Sequence, residues 1–407
     1  LVTVHTDLLA FDEARARLLD GVRTLASERV ALASAAGRVL ASSLVAATPL
    51  PGFDHSAMDG YALATSDLAG DGPFRLTVEG ESSAGKPAPD LVPGTACRIF
   101  TGAAIPRGAD AVVMQEHGKR EGAAIVLEAR PKSRQHIRFA GEDMPAGAVA
   151  IAPGTRLQPG ALALAAMFGS AELVVARRPR VTIVCTGDEL LVPGEHARPG
   201  AIFESNSAAL GALARQASAD VRVAPIARDD AAGTQRAIEA ALDGTDVLLT
   251  VGGVSVGDHD VVRPALERAG VKLDFWRVAI KPGKPLAVGR RAGAHVLGLP
   301  GNPSSAIVTF ALFGLPLLRA LQGDRQAVAL PLRAQLRADR KRSPDRLELL
   351  RATLRVEDGV VVALAHDNQA SGAATSLAHS DGLAFIPPGE VPLAAGSIVD
   401  FVRWADA

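Results

Sequence analysis

Apolar residues at Leu8, Phe11, Ala14 and Leu18, with Asp12, Arg15 and Arg17 between them, predict an amphipathic helix over 7–20. Val30–Leu40 reads as a second short element that ends before the breakers Pro49 and Pro51. From Phe74 to Glu128 the rhythm shifts to short alternating runs at 75–79, 97–100, 111–115 and 124–128. Gly and Pro divide them, as expected of a small β-rich domain. A helical run at 161–168 and a short strand at 171–175 follow, so the β-rich stretch interrupts an otherwise helical segment.

After Pro179 strand and helix patterns alternate. Strands are expected at 181–186, 221–226, 246–251, 271–276, 286–289 and 295–299, with helices at 206–218, 231–242, 261–269 and 303–321. Such alternation implies a mostly parallel sheet with helices on both faces. From Leu330 short strands return at 349–356, 360–365, 383–386 and 398–404, which reads as a separate β domain of barrel type. The expected fold class is multidomain α/β: a doubly wound, mostly parallel sheet domain, a β-rich insert, an N-terminal helical segment and a C-terminal β-barrel domain. The expected boundaries are 1–50 with 144–178 for the helical linking part, 51–143 for the insert, 179–327 for the doubly wound domain and 328–407 for the barrel.

Composition narrows the choice of partner. The 407 residues are 48% hydrophobic and 21% charged, ordinary for a globular chain. A net charge of −1 argues against nucleic acid or an acidic membrane as partner. The two cysteines, Cys97 and Cys185, offer neither a disulfide scaffold nor a zinc set, and fit a reducing compartment. No basic start leads into an apolar run, and the apolar stretch 306–318 is interrupted by Gly314 and Pro316 and is too short to span a bilayer. A cytoplasmic protein is expected. The patterns GxxxxGK[ST] and GxSxG are absent, which excludes a Walker-type nucleotide site and a hydrolase elbow.

Chemistry gathers where strands end, the side on which open α/β sheets bind ligands. Gly252-Gly253-Val254-Ser255-Val256-Gly257 can bring backbone N–H groups close to an anion. The acidic residues Asp258 and Asp260 beside it would repel a phosphate unless a divalent cation lies between. Asp188, Glu189, Asp229, Asp258 and Asp260 are hard oxygen donors of the kind Mg²⁺ takes, whereas His259 reads as a helix-start residue. Lys281 and Lys284 share the rigid loop IKPGKP in a chain that otherwise carries its positive charge mostly on arginine. Fixed ammonium groups suit an oxyanion, although two solvated lysines on a turn are the bland alternative. In LPGNPSSA, Pro303 suits a first helical position and Ser304 and Ser305 can cap the helix or donate to an anion. The polar segment GFDHSAMDGYA at 52–62 would by default be a solvated turn.

Taken in order, these pieces resemble the molybdopterin molybdenumtransferase family, the MoeA-like proteins related to the C-terminal domain of gephyrin. The resemblance rests on SAMDGYA at Ser56–Ala62, TGAAIPRGADAVVMQE at Thr101–Glu116, GED at Gly141–Asp143, CTGDEL at Cys185–Leu190 and SNS at Ser205–Ser207. It continues in GGVSVGDHD, IKPGKP and LPGNPSSA, and covers nearly the whole chain. It implies a cytoplasmic homodimer that takes adenylylated molybdopterin and molybdate, hydrolyses the pyrophosphate link with Mg²⁺, inserts the metal and releases AMP. It also implies a cleft between subunits that brings Asp59 and Asp143 toward the partner's face carrying 188–284. The adenylyltransferase of the same pathway and molybdoenzyme acceptors are implied as further partners. Asp188, Glu189 and Asp260 are then expected at Mg²⁺ and pyrophosphate, with Asp229 nearby. Gly252, Gly253 and Ser255 would cradle the pterin phosphate, and Thr101, Asn302 and Ser304 join the substrate-binding set. Lys281 and Lys284 would hold molybdate, with Arg351 and Ser371 from the last domain, where Arg346 is the alternative to Arg351. Arg277 stands where family members often carry Lys. A gephyrin-like scaffold and a molybdopterin adenylyltransferase remain the alternatives, the first disfavoured by the retained charge clusters and the second by the insert and barrel.

Overall fold

The alternation after Pro179 builds one six-stranded sheet in the order Asp220–Val223, Arg180–Cys185, Val247–Val251, Ala294–Leu299, Pro285–Arg291, Lys272–Arg277. The first four strands run parallel, and the last two join antiparallel. Strands buried on both faces read as continuous apolar runs, and VLLTV at Val247–Val251 is buried at every position. Ile183, Leu249 and Leu297 face the core formed with the helices Asn206–Gln216 and Pro303–Thr309. Val184, Leu248 and Val296, of opposite parity, face Ala231–Leu242 and Val262–Arg268. The computed structural model describes residues 8–253 and 261–406. Its chain divides into two compact units: residues 43–152 with 159–171, and the remainder, which holds this sheet.

The last helix forms where it is expected, at 303–321. Gly314 and Pro316 do not break it: the chain stays helical over Pro303–Leu321, with a wider π turn at Phe310–Gly314. A Cβ at Gly314 would lie 2.1 Å from the Phe310 ring, so glycine is what lets that ring lie across the helix. The stretch has the length and apolar character of a membrane span, but 83% of it is buried within the fold.

In the same unit, the strands Leu347–Glu357, Val360–Ala365, Leu332–Leu336, Ile398–Arg403 and Gly382–Ile386 pair in that order, and the last returns to the first. This closes a five-stranded barrel around Leu336, Leu350, Ala363, Ile386 and Phe401. A short strand from the α/β part, Ile280–Lys281, adds to its rim in parallel with Leu347 and Glu348. Between the first helix and the sheet domain, Ser27–Ala31 is a strand that pairs with Glu172–Ala176, so this segment is not wholly helical.

The other unit carries its own six-stranded sheet, ordered Ala111–Met114, Gly60–Leu63, Thr95–Ile99, Phe74–Ser82, Ala124–Leu127, Gly118–Glu121. Gly60–Leu63 lies inside the sheet and is buried throughout, which corrects the default reading of the segment around it as a solvated turn. Gly60 is required there because a Cβ would meet the Val113 carbonyl oxygen at 1.9 Å.

Candidate active site

The carboxyl ends of four parallel strands meet at one rim. The Thr186 N–H donates to the Val251 carbonyl at 3.0 Å, the Gly187 N–H to Ala227 at 3.2 Å and the Gly252 N–H to Leu299 at 3.1 Å. Asn206 Nδ2 donates to the Gly301 carbonyl at 2.8 Å and ties the next helix to the same rim. Gly252 and Gly253 have φ of +94° and +61°, and Cβ atoms there would lie 2.8 Å from the Thr186 carbonyl oxygen and 2.5 Å from Val262 Cγ2. Only glycine lets the turn pass this close, leaving a surface of backbone without side chains. Ser255, Asp258, His259 and Asp260 lie outside the described residues.

Asp188, Glu189 and Asp229 gather on this rim. Burial raises the Asp229 pKa, the Asp188 backbone N–H it accepts opposes that, and the charges of Glu189 and Asp188 raise it again. Clustered carboxylates whose charges oppose one another form a donor set suited to a hard divalent cation, and Mg²⁺ commonly takes only one or two carboxylates beside a substrate phosphate. Among the described residues no three such side chains converge as ligands. The residues present fit Mg²⁺ held partly by substrate.

The lysine loop reaches the barrel. Lys281 Nζ lies 2.8 Å from Glu348 Oε1, a partner that no local pattern in the chain announces. Lys284 is exposed and has no carboxylate partner among the described residues. Between them Gly283 has φ +104°, and a Cβ there would sit 2.4 Å from Thr309 Oγ1 on the long helix. Gly283→Ala is therefore expected to cost about 2 kcal/mol of stability through backbone strain and contact with Thr309, read as a lower urea midpoint.

Arg351 is fully buried on the barrel strand Leu347–Glu357. Its Nε donates to Ser376 Oγ at 2.7 Å, and Nη2 donates to the carbonyls of Asn368 at 3.1 Å and Ala370 at 3.0 Å. These bonds hold a loop whose next residue, Ser371, meets the helix start. Asn302 Nδ2 donates to Ser371 Oγ at 3.0 Å, and the Ser304 N–H donates to the Ser371 carbonyl at 3.1 Å. Ser304 is fully buried and its hydroxyl donates to Ala373, so it secures this loop instead of facing open solvent. Arg346 pairs with Asp345, 3.7 Å away. Thr186 Oγ1, Asn206 Oδ1, Thr309 Oγ1 and Arg351 Nη1 are buried without hydrogen-bond partners among the described residues. Each belongs to one of these turns or abuts it.

Sequence reasoning also passed over Glu204. It is buried and accepts from the Ser207 N–H at 2.9 Å and the Ser207 hydroxyl, closing the helix start that carries Asn206. Cys185 donates to it at 3.4 Å, and burial, with the Glu204 charge, pushes that thiol well above its usual range.

Asp59, Thr101 and Asp143 belong to the other unit. Asp59 Oδ1 accepts from the Thr101 N–H and hydroxyl, both at 2.8 Å. Those bonds, aided by the Arg98 charge, hold its pKa below the ordinary carboxylate value. Asp143 is exposed, with its backbone N–H on the Leu50 carbonyl at 3.0 Å.

A doubly wound domain with a glycine turn and carboxylates at its strand ends, in a chain that also carries a β-rich unit and a closed barrel, defines a multidomain α/β protein. Comparison with known proteins makes the class specific. Family descriptions match in chain order: "MoeA N-terminal region (domain I and II)" over 9–169, "Probable molybdopterin binding domain" over 182–320 and "MoeA C-terminal region (domain IV)" over 333–404. A molybdopterin molybdenumtransferase of Haemophilus influenzae is 39% identical over 78% of this chain and 79% of its own length. Molybdopterin molybdenumtransferase 2 of Mycobacterium tuberculosis is 39% identical over 90% of this chain and 93% of its own. The crystal structure of the molybdopterin biosynthesis moeA protein from Pyrococcus horikoshii OT3 superimposes with a TM-score of 0.84 at 30% identity, covering 98% of this chain and 100% of that one. The chain belongs to the MoeA family of molybdopterin molybdenumtransferases, enzymes of molybdenum cofactor biosynthesis.

Proposed function

We propose that the chain carries out metal insertion: it hydrolyses adenylylated molybdopterin in a Mg²⁺-dependent reaction, places molybdate on the dithiolene and releases AMP. The observation that carries this reading is Arg351, a buried guanidinium with no counter-ion and with Nη1 unsatisfied among the described residues. A fold keeps such a costly cation where an anion arrives to use it. Lys284 and the Lys281 ammonium supply further charge, and Ser371 adds a hydroxyl from the loop that Arg351 holds.

In this reading Gly252, Gly253 and Ser255 cradle the pterin phosphate, and Asn302 keeps Ser371 in place beside it. Asp188 and Glu189, with Asp260, hold Mg²⁺, which when bound neutralises charge on the pyrophosphate. Asp229, whose pKa is raised by burial and then by the Glu189 and Asp188 charges, stands ready to take a proton from the attacking water. Preorganised charge of this kind carries much of a phosphoryl-type reaction. The enzyme works in the cytoplasm as a homodimer whose second subunit contributes Asp59, Thr101 and Asp143 to the cleft. It receives substrate from the adenylyltransferase of the pathway and hands product to molybdoenzyme acceptors.

The test is AMP release from adenylylated molybdopterin by the purified protein. Release that requires both molybdate and Mg²⁺ is expected; release without any oxyanion requirement, or none, contradicts the reading. Lys284→Ala should raise the molybdate concentration for half-maximal rate by about tenfold, through loss of one charge-assisted hydrogen bond. Pterin affinity in a binding titration should stay nearly unchanged, and an equal loss there would remove Lys284 from the oxyanion pocket.

A further inference from the structure

The two lysines of the KPGK loop share a sequence context but not a structural state. Lys284 has no carboxylate partner among the described residues, whereas Lys281 is paired with Glu348 at 2.8 Å. The Glu348 side chain is only 14% exposed, against 57% for Lys281. The carboxylate is therefore the fixed member and the ammonium the movable one. Backbone pairing sets this on both sides. Lys281 lies opposite Glu348 in the short parallel ladder, and Glu348 lies opposite Ile386 in the barrel.

Strand parity separates Glu348 from Arg351. Leu350 and Ala352, which share its parity, point into the barrel core, whereas Leu349, which shares the parity of Arg351, packs in the core of the α/β domain. Glu348 thus draws Lys281 toward the barrel mouth, away from the face on which Arg351 waits. A pocket of about 380 Å³ opens there, lined by Lys281, Glu348, Arg340, Lys341, Asp339 and Gln369. Gln369 accepts the Arg351 backbone N–H at 3.0 Å and donates back to the Arg351 backbone carbonyl at 2.9 Å, so the pocket wall is tied to the backbone of the residue that carries the buried guanidinium. Asp339 accepts the Ala395 N–H at 2.8 Å. Arg340 and Lys341 remain close enough to line the same pocket and offer Glu348 another cation once Lys281 leaves.

We propose that Glu348 is a positioning residue for the oxyanion site: it holds the Lys281 ammonium in reserve, and the arriving oxyanion takes that ammonium over. The inference rests on the oxyanion reading of the site given above. A carboxylate and a dianion compete for one ammonium, so each weakens the other's hold. Lysine suits the exchange because its compact charge sits on a flexible stem. The sign of the effect is unusual. Neutralising a residue of the site should tighten anion binding.

The test is molybdate titration of the purified full-length protein by calorimetry at neutral pH and low salt. Glu348→Gln is expected to lower the molybdate dissociation constant by about fivefold, the scale of one partly exposed ion pair. The double variant Lys281→Ala/Glu348→Gln is expected to bind no more tightly than Lys281→Ala. Weaker binding in Glu348→Gln, or a gain that persists without Lys281, overturns the proposal. A second readout needs no oxyanion: acylation of individual lysines by an amine-directed reagent, mapped by mass spectrometry. Lys281 should react faster in Glu348→Gln than in the unmodified chain, with Lys284 unchanged. If the unmodified chain binds no molybdate, the functional reading fails by itself. The labelling still decides whether Glu348 restrains Lys281, and equal rates at Lys281 overturn the inference in either case.

Discussion

Replacing Arg351 by methionine is expected to lower molybdate-dependent AMP release by about a hundredfold while leaving a folded protein. Two stability effects oppose each other. Methionine removes a fully buried cation that has no counter-ion among the described residues, and so removes its desolvation cost, which also pulls the guanidinium pKa down. Against that, the carbonyls of Asn368 and Ala370 and the Ser376 hydroxyl lose their donor. Each such loss costs roughly 1–3 kcal/mol where the loop cannot relax to water. The net change should stay within about 2 kcal/mol in thermal or urea unfolding, because the terms have opposite sign. Catalysis has no such compensation. A charge-assisted, pre-aimed donor to an oxyanion is worth about 3 kcal/mol, or about a hundredfold in rate. Arg351→Lys should fall between, since it keeps the charge but loses the fork that holds the 368–370 carbonyls. Unchanged turnover alongside a large fall in stability would make Arg351 a structural clamp alone.

The second large effect lies at the opposite end of the sheet. Asp246→Asn should cost about 3 kcal/mol or more of unfolding free energy. Asp246 accepts from Arg177 Nη1 at 2.6 Å and Nη2 at 2.8 Å, from the Arg180 N–H at 2.8 Å, and from the Arg180 side chain at 3.2 and 3.3 Å. Its side chain is 10% exposed. Burial alone would raise its pKa, but these donors prevail and hold it well below the usual carboxylate range. A depressed carboxyl stabilises fully above its unfolded pKa of about 3.9 and loses that contribution as pH falls further. His295, also buried, has its pKa pushed down to about 4, by burial first and then by Arg290. It must stay neutral in the fold, so stability is full above about pH 6.5 and falls by roughly 3 kcal/mol on the way down to its folded value. Acid unfolding should therefore show a histidine phase between about pH 6.5 and 4 and a carboxylate phase below about 4. Urea midpoints across pH 3–7 check this: Asp246→Asn should shrink the lower phase and, by removing a charge that favours protonated His295, deepen the upper one, and an unaltered profile would contradict the assignment.

The sequence disclosed most where the pattern is local. The β/α alternation after Pro179, the barrel and the strand-end carboxylates follow from period and punctuation within a few residues of each other. What stayed hidden depends on distant partners. Gly60–Leu63 sits among Asp54, His55, Ser56 and Asp59, whose polarity masks a strand buried between two others. Phe310 fills the space above Gly314, so a glycine that reads only as an interruption of the apolar run serves as a packing site. Ser304 reads as a helix cap or as a donor to an anion, and the sequence does not show that its hydroxyl reaches Ala373, 69 residues on. Nothing near Lys281 in the chain announces Glu348, 67 residues away. Arg351 is singled out in the sequence only by family resemblance, and nothing in its local pattern shows that its guanidinium is fully buried.

That barrel is stitched to the sheet domain by Ile280 and Lys281, which pair with its first long strand. The stitch makes the barrel and the lysine loop a single mechanical piece. A small tilt of the barrel would re-aim a charge as well as a wall, so under the proposed function substitutions far out on its outer face should shift molybdate affinity without altering the lysine loop itself.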